Sequence, residues 1–249
     1  MYKTAAEHGK RVQAQGGAKN YMVVMPDANL DITIPSLVNS FYGCAGQRCL
    51  AGGAILAVGS VYESLLEKFT AAASKLNTGY GLDEAVDMGP VISNAAKGRV
   101  LAYIEKGLAE NAKLVLDGRN ICVQGYEKGA FVGPTVFTDV TTKMTIGREE
   151  IFGPVVSFMR VKDLDEALDL IHKNPFGNSA SIYSTNGKTV RDFNYKVQCG
   201  NIGVNLGVPA PMAFFPFSGY KDSFFGDLHG QAQDGIYFFT DRKVIISRW

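Results

Sequence analysis

A five-residue run without a polar side chain, Ala54-Ile55-Leu56-Ala57-Val58, reads as a buried strand, and the residues after it recur at helical spacing: Tyr62, Leu65, Leu66, Phe69, Ala73 and Leu76. The alternation continues along the chain. Asn94 to Glu110 carries Val100, Leu101, Ile104 and Leu108 on one helical face, and Leu114-Val115-Leu116 reads as a short strand. Pro134 to Phe137 and Val155 to Met159 are further strand candidates, separated from the earlier units by a glycine-rich surface excursion over Asp117 to Gly133. Asp163 and Glu166 have the spacing of a capping box, and the apolar stripe Leu164, Ala167, Leu168, Ile171 follows, ending before Asn174-Pro175. Ser179 to Tyr183 is a strand, Lys188 to Val197 a helix and Asn201 to Asn205 a strand. Strands alternating with helices of this length predict an α/β fold.

The segments Gly235 to Thr240 and Lys243 to Ile246 are apolar and β-prone. A terminal strand of that kind pairs with another chain or covers a sheet edge. With 249 residues, there is room for one large domain or a domain with an appendage. A net charge of +1 gives no electrostatic case for nucleic acid or an anionic membrane, and no apolar run approaches the ~20 residues that span a bilayer. The four cysteines, Cys44, Cys49, Cys122 and Cys199, lack metal-ligand spacing and fit a reducing, cytoplasmic compartment. No His/Cys/Asp/Glu cluster predicts a metal site.

The chemistry concentrates in Ser40-Phe41-Tyr42-Gly43-Cys44-Ala45-Gly46-Gln47-Arg48-Cys49-Leu50-Ala51-Gly52-Gly53, read as a small-residue, glycine-rich turn. Positive charge and backbone N–H groups favour a thiolate, and small neighbours let a carbonyl approach the sulfur and nearby donors. The bare pattern serves a buried structural cysteine equally well. Other short motifs accompany it in order: Gly17-Ala18-Lys19-Asn20, then Glu149-Glu150-Ile151-Phe152-Gly153-Pro154, Asn174-Pro175-Phe176-Gly177 and Pro216-Phe217-Ser218-Gly219-Tyr220-Lys221. Together these resemble the aldehyde dehydrogenase superfamily over essentially the whole chain. Gly46-Gln47-Arg48-Cys49 and Gly226-Asp227-Leu228-His229-Gly230 are similar to the methylmalonate-semialdehyde dehydrogenase branch.

The resemblance implies a parallel-rich sheet flanked by helices, with residues 1–25 the end of a Rossmann-like cofactor domain, 26–230 the catalytic domain and 231–249 an oligomerisation segment carrying an inter-subunit strand. Members of the superfamily are nearly twice as long, so the chain resembles their C-terminal half, opening in a helix expected over Tyr2 to Val12. Cys49 is the implied nucleophile: it attacks an aldehyde, and hydride loss to NAD leaves a thioester. Its backbone N–H is one oxyanion donor, and the second, an asparagine, is expected upstream. Arg48 is implied to grip the carboxylate of a 3-oxo acid through its planar fork, the alternative being a structural ion pair with one of the chain's acids. Glu150 is implied to accept from the nicotinamide ribose hydroxyls and Phe152 to pack on the ring, although Glu149-Glu150 alone reads as a solvated pair. Lys19 either orients the catalytic region or lies on the surface.

Where hydrolytic relatives carry a glutamate as general base, four residues before the Lys19 position, this chain has Gln15, which cannot take a proton at neutral pH. That favours coenzyme A over water as acyl acceptor. The expected reaction is NAD-dependent conversion of malonate or methylmalonate semialdehyde to acetyl- or propionyl-CoA with loss of carbon dioxide, by a dimer or tetramer. The alternatives are a hydrolytic aldehyde dehydrogenase and a non-catalytic oligomerising fragment without the cofactor domain. His172, near a helix end, and His229, in a glycine-rich turn, read as structural, and Cys44, Cys122 and Cys199 as packing residues.

Overall fold

Every residue of the central strands is buried, which fixes the middle of the molecule before any loop is considered. The computed structural model describes residues 1–249. Its main sheet has seven strands: β2 (Tyr21–Val24), β3 (Ala54–Val58), β4 (Lys113–Leu116), β5 (Thr135–Thr138), β6 (Val155–Val161), β8 (Ser179–Tyr183) and β9 (Asn201–Val204). Their order is β4-β5-β6-β3-β2-β8-β9, and all pairings are parallel except that of β4 with β5. Two small ribbons complete the strands, β1 (Gln13–Gln15) with β11 (Phe224–Gly226) and β7 (Phe176–Gly177) with β10 (Tyr220–Lys221), both antiparallel.

Helices join the parallel strands, as such crossovers require. The helices of the chain are α1 (Tyr2–Glu7), α2 (Leu30–Tyr42), α3 (Tyr62–Ala73), α4 (Asn94–Ala109), α5 (Thr145–Arg148), α6 (Leu164–Lys173), α7 (Gly187–Lys196) and α8 (Ala232–Phe239), of which α1 and α8 lie outside the sheet's crossovers. Helix starts follow from local side chains: Asn29, Ser93, Asp163 and Asn186 each accept from a backbone N–H of the first turn. At α6 the Glu166 carboxylate bonds back to the Lys162 N–H at 2.6 Å, one residue before the cap. The core joins α2 and α3 to the sheet through Phe69, whose ring meets Phe41 and Phe158 edge-on and lies along Tyr42, with centroids 5.4–5.9 Å away.

Expectations are corrected at both ends of the chain and at two cysteines. The helix at the start of the chain ends at Glu7, and residues 13–15 form β1 against β11. Strand β2 lies between β3 and β8, so residues 21–24 sit inside the main sheet. At the other end, Gly235 to Thr240 falls largely in α8 rather than a strand, and residues 240–249 have no regular structure and are exposed. A strand with no neighbour leaves its backbone groups unpaired, whereas a helix satisfies them internally; Arg11 Nη1 also donates to the Tyr237 carbonyl at 2.9 Å near the end of α8. Cys44 and Cys122 are exposed, contrary to the packing expected of them, while Cys199 is buried and its thiol is pushed up to about 12 by that burial. No helix is long and apolar enough to cross a membrane, and no metal-binding cluster of side chains is present.

Phe69 is fully buried at the centre of the four-ring cluster, so Phe69→Ala should lower unfolding stability by about 3–5 kcal/mol in urea titration. A loss under about 1 kcal/mol would show that α2 and α3 are not anchored to the sheet through this ring.

Candidate active site

The parallel strands enter the sheet at one end, and the segments leading into four of them carry the chemistry. Ala18-Lys19-Asn20 precedes β2, Gly46 to Gly53 precedes β3, Glu150 to Gly153 precedes β6 and Asn178 precedes β8. These segments meet at the amino ends of the strands, opposite to the carboxyl ends where open α/β sheets usually bind ligands. A cleft there is lined by Lys19, Arg48, Glu150 and Phe152, with Gly46, Gly52, Gly53 and Gly153 letting the backbones close in.

The cysteine loop is held from below by two amides. The Cys49 carbonyl accepts from Asn20 Nδ2 at 2.8 Å and from Asn178 Nδ2 at 2.7 Å, and Asn20 Nδ2 also reaches the Ala51 carbonyl at 2.7 Å. Ser40, fully buried at the end of α2, accepts from the Gly52 N–H at 2.9 Å. The Cys49 backbone is thus pinned while its side chain is exposed. Upstream, Cys44 and Ala45 take left-handed φ values of 52° and 51°, followed by Gly46 at 70°. The segment read as one glycine-rich turn is therefore two structures: Ser40 to Tyr42 finish a buried helix, and a left-handed turn follows.

Arg48 makes no ion pair with an acid of the chain. Its Nη2 donates to the Asn39 carbonyl and, at 3.4 Å, to the Ser40 carbonyl, while its Nε is buried without a partner. These carbonyls belong to the negative end of α2, where a guanidinium is favoured by both hydrogen bonding and the helix dipole. The arginine beside the cysteine therefore neutralises a helix end that points at the site.

Lys19 is not on the surface. It is 3% exposed and donates to the Ile146 carbonyl at 2.7 Å, and burial pulls its amine down to about 7 against the opposing charges of Glu150 and Glu149. Burial likewise raises the Glu150 carboxyl, countered by the Ala18 N–H and by Lys19 and Arg99. Glu149 points elsewhere, accepting from Tyr103 Oη at 3.1 Å and pairing with Arg148, so the adjacent acids are divided between cleft and surface. Phe152 is 36% exposed with φ +55°, and Gly153 packs under Val100 of α4. Gln15 is exposed in β1, opposite Phe224.

The remaining motifs brace this end of the sheet. Lys221 Nζ donates to the carbonyls of Ile171, His172 and Asn174 at 2.9–3.1 Å, capping α6. Ser223 Oγ donates to the Gly17 carbonyl at 2.7 Å and accepts from the Gly177 N–H at 3.1 Å. His172 bonds the Lys196 carbonyl at the end of α7, and His229 stacks on Phe224, both structural positions.

A family profile described as "Aldehyde dehydrogenase family" matches residues 1–245. The chain belongs to the aldehyde dehydrogenase family. It is 53% identical, over its full length, to malonate-semialdehyde dehydrogenase 2 of Geobacillus kaustophilus and 52% identical to malonate-semialdehyde dehydrogenase of Halalkalibacterium halodurans, covering 51% of each. The chain thus spans about half the length of the curated relatives it matches. Among solved aldehyde dehydrogenase folds, the methylmalonate-semialdehyde dehydrogenase of Oceanimonas doudoroffii superposes with a TM-score of 0.97 at 41% identity, over all of this chain and 51% of that one. The betaine aldehyde dehydrogenase of Staphylococcus aureus in complex with NAD+ gives 0.89 at 28% identity, over 94% of this chain and 46% of that one. The expected mostly parallel sheet flanked by helices is the fold observed. Asn20, Asn178 and Arg99 are the site residues that the sequence reading left without a role.

With a native value near 7 against 10.5 for the free amine, Lys19 is charged in both states below pH 7, where its burial costs most. Above pH 7 the unfolded chain binds the extra proton, so this contribution to stability rises with pH up to about 10.5. Lys19→Met removes the titration, and its stability difference from the parent in urea should change by about 2–4 kcal/mol between pH 7 and pH 10. A pH-independent difference would place the native amine near its ordinary value.

Proposed function

We propose that the chain is the catalytic portion of an NAD-dependent, CoA-acylating malonate- or methylmalonate-semialdehyde dehydrogenase. The observation that carries this reading is the convergence on one cleft of the loop of an exposed cysteine, an arginine, a half-buried carboxylate and an exposed aromatic ring, in an aldehyde dehydrogenase family chain. The names of relatives such as the Geobacillus enzyme support the substrate class.

In this reading Cys49 adds through sulfur to the aldehyde carbon and, once that carbon is oxidised, holds the acyl group as a thioester. NAD, when bound, supplies the hydride acceptor. Glu150 fits the ribose hydroxyls, because its carboxylate faces the cleft and Lys19 beside it bonds to Ile146 instead. Phe152 offers a ring face beside it; a methylmalonate-semialdehyde dehydrogenase structure from Sinorhizobium meliloti, 44% identical, is complexed with NAD. Arg48 lines the cleft beside the cysteine loop, and its planar guanidinium suits the substrate carboxylate. Loss of that carboxylate as carbon dioxide leaves an enolate carbon that takes a proton from water, and the coenzyme A thiolate then takes the acyl group as the Cys49 sulfur departs. Gln15, in place of a carboxylate, supports coenzyme A rather than water as the acceptor.

The domain division is proposed as residues 1–25 for the end of a cofactor domain, 26–230 for the catalytic domain and 231–249 for an oligomerisation segment. Exposed Val244, Ile245, Ile246 and Trp249 support assembly into a dimer or tetramer, in the cytoplasm. The chain's coverage of only half of its relatives favours one other reading, a non-catalytic oligomerising fragment.

The test is NADH formation by this chain from malonate semialdehyde and NAD, with and without coenzyme A. CoA-dependent turnover should fall at least about 10³-fold in Cys49→Ser. Turnover indifferent to coenzyme A would make the chain a hydrolytic enzyme, and none at all would favour the fragment. Arg48→Met should raise KM for malonate semialdehyde about tenfold or more while leaving propanal little affected. Equal losses on both aldehydes would confine Arg48 to capping α2.

A further inference from the structure

We infer that Arg99 is a positioning residue, which holds the Phe152 backbone in its left-handed conformation and thereby fixes the Phe152 ring and the Glu150 carboxylate at the cleft. The cofactor side of this inference rests on the reading above, that both side chains meet the nicotinamide nucleoside.

A phenylalanine at φ +55° is an outlier, because a bulky side chain in the left-handed region crowds its own backbone at a cost of about 1–3 kcal/mol. Such a conformation persists only where its surroundings over-determine it. Here the surroundings are α4. Arg99 Nη1 donates to the Ile151 carbonyl and Nη2 approaches the Phe152 carbonyl at 3.4 Å, so one guanidinium spans the peptides on both sides of the strained residue. Tyr103, one turn along the same helix face, donates to Glu149 at 3.1 Å, and Val100 packs where a Gly153 side chain would stand. Residues 149–153 are therefore fastened to α4 at three places, with Arg99 at the strained one.

The arrangement bears on the cleft because, apart from the Ala18 N–H beside the Glu150 carboxylate, Glu150 and Phe152 lean on little else. Glu150 receives no hydrogen bond from Lys19, whose Nζ bonds to Ile146, and the Phe152 ring is exposed. Both orientations are inherited from the backbone that Arg99 grips. An arginine suits this task better than a lysine, since its fork can reach two carbonyls in a fixed geometry.

The experiment is amide hydrogen exchange of the full chain over residues 149–156, paired with NAD affinity by equilibrium titration, for the parent, Arg99→Met, Arg99→Lys and Phe152→Gly. Arg99→Met should speed exchange at residues 151–153 about tenfold, the size of one lost charge-assisted bond, and weaken NAD to a similar degree. Arg99→Lys should recover part of both effects. In the Phe152→Gly background, where a left-handed φ is free of strain, Arg99→Met should add little to exchange. Unchanged exchange in Arg99→Met, or an equal increase in the Phe152→Gly background, would overturn the inference. Faster exchange with unaltered NAD affinity would overturn its cofactor side. A parent chain that binds no NAD would sink the cofactor reading instead, while the exchange rates still decide the role of Arg99.

Discussion

One side chain joins three of the four strands on which the site stands. Asn20, buried at the mouth of β2, donates through Nδ2 to the carbonyls of Cys49 and Ala51, while its Oδ1 accepts from the Ser179 N–H that opens β8. Its own backbone carbonyl accepts from the N–H groups of Gly53 and Ala54, where β3 begins. A buried amide with its donors and acceptor engaged resists change, because removing it strands several polar groups in a dry interior. The cysteine loop, the central strand and the neighbouring strand are therefore registered to one another by a single side chain.

That registration explains how a site can stand at the amino ends of parallel strands. At the carboxyl ends, helix amino termini supply free N–H groups and positive dipoles to bound anions; here the sheet presents helix carboxyl ends instead. The carbonyls of α2 face the cysteine loop and those of α6 face the segment after it. The chain answers each with a cation, Arg48 on Asn39 and Ser40 and Lys221 on Ile171, His172 and Asn174. Two basic residues from different sequence motifs thus perform the same electrostatic service.

What was legible in the sequence was what local pattern controls. The strands Ala54–Val58 and Ser179–Tyr183 were read to the residue, because buried strands in a parallel sheet are continuous apolar runs bounded by turn formers. Helix α2 was missed: Ile32, Thr33 and Ile34 are β-branched, Pro35 interrupts the pattern, and Asn39 and Ser40 are weak formers, so only burial against α3 and the sheet makes it a helix. The C-terminal segment failed in the opposite sense, since its β propensity has no strand to satisfy it within one chain. Cys49, Arg48, Glu150 and Phe152 were singled out through motifs, and the last three line one cleft. Asn178 and Arg99 were not, because they act on carbonyls 129 and 52 residues away, and the sequence around them shows nothing more than a polar residue at a strand or helix edge.

The two strained loops also explain why the partial site is rigid. Cys44, Ala45 and Gly46 are left-handed on one side of the cleft and Phe152 on the other, and they meet where Gly46 lies against the Gly153 carbonyl. A side chain at Gly46 would collide with that carbonyl, and one at Gly153 would collide with Val100 of α4. Each loop therefore limits the conformations open to the other, and α4 limits both. Strain of this kind is tolerable only where neighbouring packing leaves no relaxed alternative. The cysteine loop and the carboxylate–aromatic loop consequently form one braced unit at the amino ends of the central strands, so their relative placement is set by contacts made entirely within these 249 residues.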